Sequence, residues 1–285
     1  MIPAAFDYAR AGSLAEALDA IADQDSKIIC GGQTLVPLLR FRLARPGRLV
    51  DIGQLAELRG VTITGGAARI GAATTYRELL ASEPLRDALP LLAEVIENIG
   101  DIQVRNLGTI GGALAHADPA ADLPAAILAL DATMHLQSAR ARRAVPAREF
   151  FLSAFETALA PDELLVSIEI PALPDFTGSA YVTFEQPASG YALVGAAAVV
   201  TRTAGRGIVR ASLAFTGLAD AAFLAGAAAG LVGTQGDADT VERVASEAVR
   251  GIDANADIHA SADYRRHLAH VAARRAMLSA IERAR

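Results

Sequence analysis

Two glycine pairs restrict what this chain can fold into more than any other feature. One lies in Cys30-Gly31-Gly32-Gln33-Thr34-Leu35, directly after the apolar pair Ile28-Ile29. The other lies in Asn106-Leu107-Gly108-Thr109-Ile110-Gly111-Gly112-Ala113. Paired glycines let a backbone turn at positive φ, so successive N–H groups can converge on one anion with no side chain in the way. Taken singly, each segment is either an anion seat or an empty turn into a helix. Two of them in one chain predict a diphosphate gripped from two sides, the handle of a dinucleotide. A third pair, Gly65-Gly66, lies between short alternating runs and reads as a hairpin turn with no ligand.

Around the first pair the pattern is strand, loop, helix, strand. Ser13-Leu14-Ala15-Glu16 has capping-box spacing, and Leu14, Ala17, Leu18 and Ile21 recur at helical intervals, predicting a helix that ends near Asp23. Residues 27–30 read as a strand, Leu38 to Arg42 as a helix stopped by Pro46-Gly47, and 48–52 as a second strand. The glycines then sit at the C-terminal end of a strand, where α/β folds bind ligands. Thr75 and Glu78 are spaced as another capping box, and 90–99 is a helix stopped by Gly100. Asp118 fits an N-cap with Pro119 in the first helical position, predicting a helix through Ile127 and Leu130. Arg140-Ala141-Arg142-Arg143 reads as a solvated turn. Strands are predicted over 132–137, 163–170, 180–184, 193–201 and 207–216, and helices over 239–250 and 262–283. Pro171, Pro174 and Gly178 mark a domain boundary.

At 285 residues the chain exceeds a comfortable single core, which favours two domains. The net charge of −6 and scattered basic residues argue against nucleic acid or an anionic membrane as the main partner. Cys30 is the only cysteine, which excludes an internal disulfide and a thiolate cluster for iron–sulfur or structural zinc. The N-terminal residues carry no basic-then-apolar leader, and no apolar run reaches the ~18 residues of a spanning helix. The expectation is a soluble, cytoplasmic protein with no integral membrane segment.

These motifs, in this order, resemble the FAD-binding medium subunit of the molybdenum hydroxylases, the group of xanthine dehydrogenase and carbon monoxide dehydrogenase. The resemblance runs through Gly31-Gly32-Gln33-Thr34-Leu35-Val36-Pro37-Leu38-Leu39, Arg42-Leu43-Ala44-Arg45-Pro46 and Ile70-Gly71-Ala72-Ala73-Thr74-Thr75. It continues with Gln103-Val104-Arg105-Asn106, Thr109-Ile110-Gly111-Gly112 and Ala117-Asp118-Pro119-Ala120-Ala121-Asp122. Glu163-Leu164-Leu165 and Ser261-Ala262-Asp263-Tyr264-Arg265 complete it. It implies an α+β fold: a vanillyl-alcohol-oxidase-type two-subdomain FAD-binding domain followed by a small C-terminal domain of antiparallel sheet plus helices. The FAD-binding domain would span 1–176, with subdomains about 1–56 and 57–176, and the C-terminal domain 177–285. There is no GxGxxG fingerprint, and the implied fold is not a Rossmann fold.

The resemblance also assigns a cofactor set. Cys30, Gly31, Gly32, Gln33, Thr34 and Leu35 would face the FAD diphosphate, with Thr109, Ile110, Gly111, Gly112 and Ala113 on its other side. Many relatives carry asparagine where this chain has Ala113. Asp118 and Asp122 match an acidic pair near the ribose or ribityl hydroxyls, although Asp118 is equally suited to capping a helix. Thr74 would approach the flavin. Leu165 is either a flavin contact or strand core. Ile99 stands where some relatives place an aromatic against the isoalloxazine, and Tyr191 is either an exposed loop residue or a cover over the flavin. No residue is assigned as catalytic or metal-ligating, and His116 is taken as a packed or loop histidine.

The function implied is electron transfer within a larger complex, with molybdopterin and [2Fe–2S] clusters carried by other chains. The partners expected are a small [2Fe–2S] subunit and a large molybdenum-cofactor subunit, assembled as a dimer of heterotrimers. Two rivals are a stand-alone FAD-dependent oxidase of the same fold and a non-catalytic nucleotide-binding assembly module.

Overall fold

The computed structural model describes residues 2–23 and 25–285. The chain opens with β1 (Asp7–Arg10), α1 (Leu14–Ile21), β2 (Ser26–Ile29), α2 (Leu35–Arg40) and β3 (Arg48–Asp51). The strands form a parallel sheet in the order β1-β3-β2. The Ser13 side chain accepts from the Glu16 N–H, so α1 starts where the capping pattern placed it, and it buries Ala17, Leu18 and Ile21. Against expectation, α2 ends at Arg40, well before Pro46. Arg42 takes φ +59, and the Leu43 and Arg42 N–H groups return to the Leu38 and Leu39 carbonyls, a left-handed C-terminal closure that needs no proline.

Next come β4 (Val61–Thr64), β5 (Ala67–Gly71), α3 (Tyr76–Ala81), α4 (Glu83–Ala88), α5 (Pro90–Asn98), α6 (Ile102–Leu107), α7 (Ile110–His116) and α8 (Leu123–Ala129). They are followed by β6 (Thr133–Gln137), β7 (Arg142–Pro146), α9 (Ala147–Phe150), β8 (Phe151–Ser153), β9 (Glu156–Thr157) and β10 (Leu164–Ile170). The sheet is antiparallel, ordered β4-β5-β10-β6-β7. Gly65 and Gly66 both have positive φ, as a two-residue hairpin turn requires.

The Gln103 motif, to which the sequence assigned no element, is helical: Asp101 caps α6 by accepting from the Gln103 and Val104 N–H groups. Two sequence readings need correction here. Asp118 does not start a helix. Ala117 ends α7 in the left-handed region, Asp118 Oδ1 accepts from the Ala120 N–H within a turn, and α8 begins at Leu123. Arg142 and Arg143 belong to a strand rather than a turn, with Arg143 paired to Glu163.

The last part contains β11 (Thr177–Glu185), β12 (Ala192–Arg202), β13 (Ile208–Thr216), β14 (Phe223–Leu224), α10 (Ala238–Ala248) and α11 (Ala262–Arg283). Its antiparallel sheet is ordered β11-β12-β13-β14. Ala196, Ala198 and Val200 pack with Ala269, Ala272, Ala273 and Ala276 of α11, whereas Ala197 and Val199 join the core of the five-stranded sheet and its helices. β12 is therefore covered on both faces, which explains why it reads as a continuous apolar run. Alanine lets the layers approach closely. A Cβ on Gly178 would lie 2.7 Å from the Arg283 carbonyl carbon.

Candidate functional site

The two glycine loops touch. Loop one joins β2 to α2, and loop two joins α6 to α7. A Cβ on Gly31 would lie 2.9 Å from the Leu107 carbonyl carbon and 3.1 Å from Gly108 Cα, and still closer to the Leu107 oxygen. Beside this contact the Cys30 thiol meets the Thr109 hydroxyl, and burial pushes the thiol pKa up. Gly32 takes φ +72, and a Cβ there would crowd Val36 at 3.2 Å.

The loops differ in what they leave free. Among the described residues, the N–H groups of Gly31, Gly32, Gln33, Thr34 and Leu35 have no backbone acceptor, and that of Gly31 lies against the Cys30 thiol. The Thr34 hydroxyl makes no cap either. These half-buried donors precede and open α2, where N–H groups have no intrahelical acceptor and are open to solvent or a ligand. The ligand they suit is an anion with several acceptor oxygens, and a diphosphate fits.

Loop two spends its donors internally. Ile110 N–H donates to the Thr74 carbonyl at 3.1 Å and Gly111 N–H to that of Ala72 at 2.8 Å. Gly112 N–H donates to Thr109 Oγ1 at 3.2 Å, and Ala113 N–H to the Thr109 carbonyl at 3.1 Å. A Cβ on Gly111 would sit 2.6 Å from the Ala72 oxygen and 2.8 Å from its Cα. Loop two is thus a wall clamped to the segment after β5, and loop one holds the free donors. Thr74 acts from beneath: it is buried, with its hydroxyl bonded to both Gly60 backbone groups. Tyr76, not singled out in the sequence, also supports the wall. Its N–H donates to the Gly108 carbonyl at 3.0 Å, and its ring would lie 2.8 Å from a Cβ on Gly108.

The turn from Asp118 to Asp122 is held by the C-terminal sheet. Thr216 Oγ1 donates toward the Pro119 and Ala121 carbonyls at 2.8 and 2.6 Å, and Gly217 N–H donates to Pro119 at 2.7 Å. Asp122 is 6% exposed and accepts from the Tyr181 hydroxyl at 2.5 Å. Burial pushes its pKa up to about 6, opposed by the Tyr181 bond. Tyr181 was not anticipated, and neither residue signals the other in the sequence. Half-exposed Tyr191 comes to the same place. Burial, then the charges of Asp118 and Asp122, push its phenol pKa up. The neighbouring Ala192 N–H donates to the Ala120 carbonyl at 3.3 Å, which puts Tyr191 beside the turn that carries the acidic pair.

Leu165 is 5% exposed within the core, and Ile99 is half-buried at the edge of that core, its carbonyl accepting from Arg105 at 3.0 Å. A cavity of about 590 Å³ is lined by Arg59, Arg69, His135 and Ser167, among others, and by none of the glycine-loop residues. No helix among the described residues is long and apolar enough to cross a membrane.

Comparison with known proteins agrees with this architecture. The family described as FAD binding domain in molybdopterin dehydrogenase matches residues 4–173. The family described as CO dehydrogenase flavoprotein C-terminal domain matches residues 179–280. The chain is 38% identical over 288 residues to the 6-hydroxypseudooxynicotine dehydrogenase complex subunit alpha of Paenarthrobacter nicotinovorans, covering 100% of this chain and 97% of that one. It is 36% identical over 283 residues to the carbon monoxide dehydrogenase medium chain of Hydrogenophaga pseudoflava, covering 98% of each. A solved structure of carbon monoxide dehydrogenase from the latter organism superposes with a TM-score of 0.96 at 36% identity, over 99% of both chains.

Proposed function

The chain belongs to the family of FAD-binding subunits of molybdopterin dehydrogenases, and from that premise we propose that it is the electron-transfer flavoprotein subunit of a molybdenum hydroxylase complex. The observation that carries this reading is the run of N–H groups from Gly31 to Leu35 with no backbone acceptor, set against the wall of loop two. FAD seated there would supply redox chemistry linking a reduced iron–sulfur partner to an external acceptor.

The chain's own residues do the placing. Loop one donates hydrogen bonds to the diphosphate, and Gly32 leaves room for it. Asp118 and Asp122 offer carboxylate oxygens to sugar or ribityl hydroxyls. Tyr191, flanked by them, covers the flavin from the C-terminal domain. We place the domain division near residue 176, between β10 and β11.

A [2Fe–2S] cluster takes four protein ligands, and this chain has one cysteine. The clusters then belong to other chains; by resemblance to its family, the partners are a small [2Fe–2S] subunit and a large molybdenum-cofactor subunit, assembled in the cytoplasm as a dimer of heterotrimers. The test is turnover. The full-length chain, loaded with FAD, should hydroxylate nothing alone, and adding both partners should give turnover. Robust substrate oxidation by the chain alone, free of iron and molybdenum, would refute the proposal.

A further inference from the structure

Arg265 is placed against every local preference. It lies in the first turn of α11, where the helix dipole disfavours a cation, and it is 5% exposed. Burying a guanidinium is costly unless its donors are met. Here the fork meets three acceptors. Nη1 donates to the Leu193 carbonyl at 2.5 Å and to the Gly217 carbonyl at 2.9 Å, and Nη2 donates to Asp257 Oδ2 at 2.7 Å. Asp257 is fixed in turn, because its Oδ1 accepts from the His259 and Ala260 N–H groups at 2.8 and 3.0 Å. One side chain thus ties the start of α11 to the start of β12 and to the residue that follows β13.

These two strand ends pass very close to each other. Gly217 takes φ +74, and a Cβ there would lie 2.5 Å from the Leu193 oxygen and 2.9 Å from its carbonyl carbon. Both carbonyl oxygens point at a single nitrogen of Arg265. Without that nitrogen, two desolvated acceptors would face one another with no donor between them, and the strand ends would part.

The same ends carry one side of the candidate site. The Gly217 N–H donates to the Pro119 carbonyl at 2.7 Å, and the Ala192 N–H donates to that of Ala120 at 3.3 Å. Tyr191 stands two residues before Leu193. The turn from Asp118 to Asp122 therefore hangs on the two strand ends that Arg265 joins. Among the described residues, Arg265 bonds to neither Tyr191 nor the acidic pair, so it acts on them only through backbone.

We propose that Arg265 is a positioning residue for the flavin: its guanidinium sets where Tyr191 and the acidic turn stand, and through Tyr191 it sets the fluorescence and reduction potential of bound FAD. This rests on the reading above in which Tyr191 covers the flavin.

The test uses the full-length chain loaded with FAD, with bound-flavin fluorescence, reduction potential and thermal unfolding measured for each variant. Arg265→Lys keeps the charge, but a single ammonium cannot reproduce the planar fork. It should raise the fluorescence and shift the potential in the same direction as Tyr191→Ala. In a Tyr191→Ala background it should add nothing further to either signal, because both changes act through one group. Easier unfolding with fluorescence and potential at wild-type values would overturn the proposal and leave Arg265 purely structural. Equal shifts in both backgrounds would overturn it as well. If Arg265→Lys does not fold, Asp257→Ala decides, because the Asp257 side chain is 45% exposed and its loss frees one arm of the fork. A change of the Tyr191→Ala kind then supports the role, and wild-type signals overturn it. A wild-type chain that takes up no flavin would overturn the FAD reading and this role together. Signals that answer to Tyr191→Ala and not to Arg265→Lys would overturn this role alone.

Discussion

Gly31→Ala is the sharpest perturbation of the seam between the two glycine loops. Its new Cβ would lie 2.9 Å from the Leu107 carbonyl carbon, with the Leu107 oxygen nearer still. These are backbone atoms, so no side chain can rotate away, and the loops must part. Overpacking of this kind costs typically 1–3 kcal/mol. The cost falls on the surface against which the free N–H groups are arranged. FAD affinity should then drop by about 5- to 150-fold, with a lower unfolding midpoint. Gly32→Ala perturbs the seat itself rather than the seam. Its Cβ meets a movable Val36 methyl at 3.2 Å and carries the left-handed φ of +72, about 1–2 kcal/mol, in addition to filling the room left for the diphosphate. The assay is FAD titration by flavin fluorescence, paired with thermal unfolding of the flavin-free chain. If Gly31→Ala bound FAD like the wild type and unfolded at the same temperature, the close approach of the loops would be wrong.

Two further outcomes are expected. Asp122 holds its proton more tightly when folded, with a pKa of about 6 against an ordinary carboxyl near 3.8. Its contribution to stability is greatest below about pH 4 and is lost as pH rises through 6, by about 3 kcal/mol. Asp122→Asn removes this dependence, so denaturant unfolding should show the variant gaining on the wild type between pH 4 and 8; a constant difference across that range would contradict the burial argument. Tyr191→Ala should raise bound-flavin fluorescence and shift the reduction potential with little change in unfolding, because Tyr191 is half-exposed; unchanged spectra and potential would return it to an ordinary loop residue.

The sequence made the local devices legible. The capping box at Thr75, the hairpin at Gly65-Gly66 and the strand leading into Gly31 are short-range chemistry, written in neighbouring residues. Arg42 and Ala117 were missed as terminators because a left-handed non-glycine residue has no signature in composition. Both loops carried glycine pairs, yet only one keeps its N–H groups free. The difference depends on the Thr74 and Ala72 carbonyls lying opposite loop two, a tertiary fact. The Asp122–Tyr181 bond joins residues 59 apart in sequence and was out of reach for the same reason.

The central claim is that the free N–H groups of loop one seat the diphosphate of FAD. Its most direct measurement is chromatography of whatever the purified full-length chain releases on acid denaturation. Stoichiometric, non-covalently held FAD is the predicted result. FMN, a covalently attached flavin, or no flavin even after incubation with FAD would contradict the account.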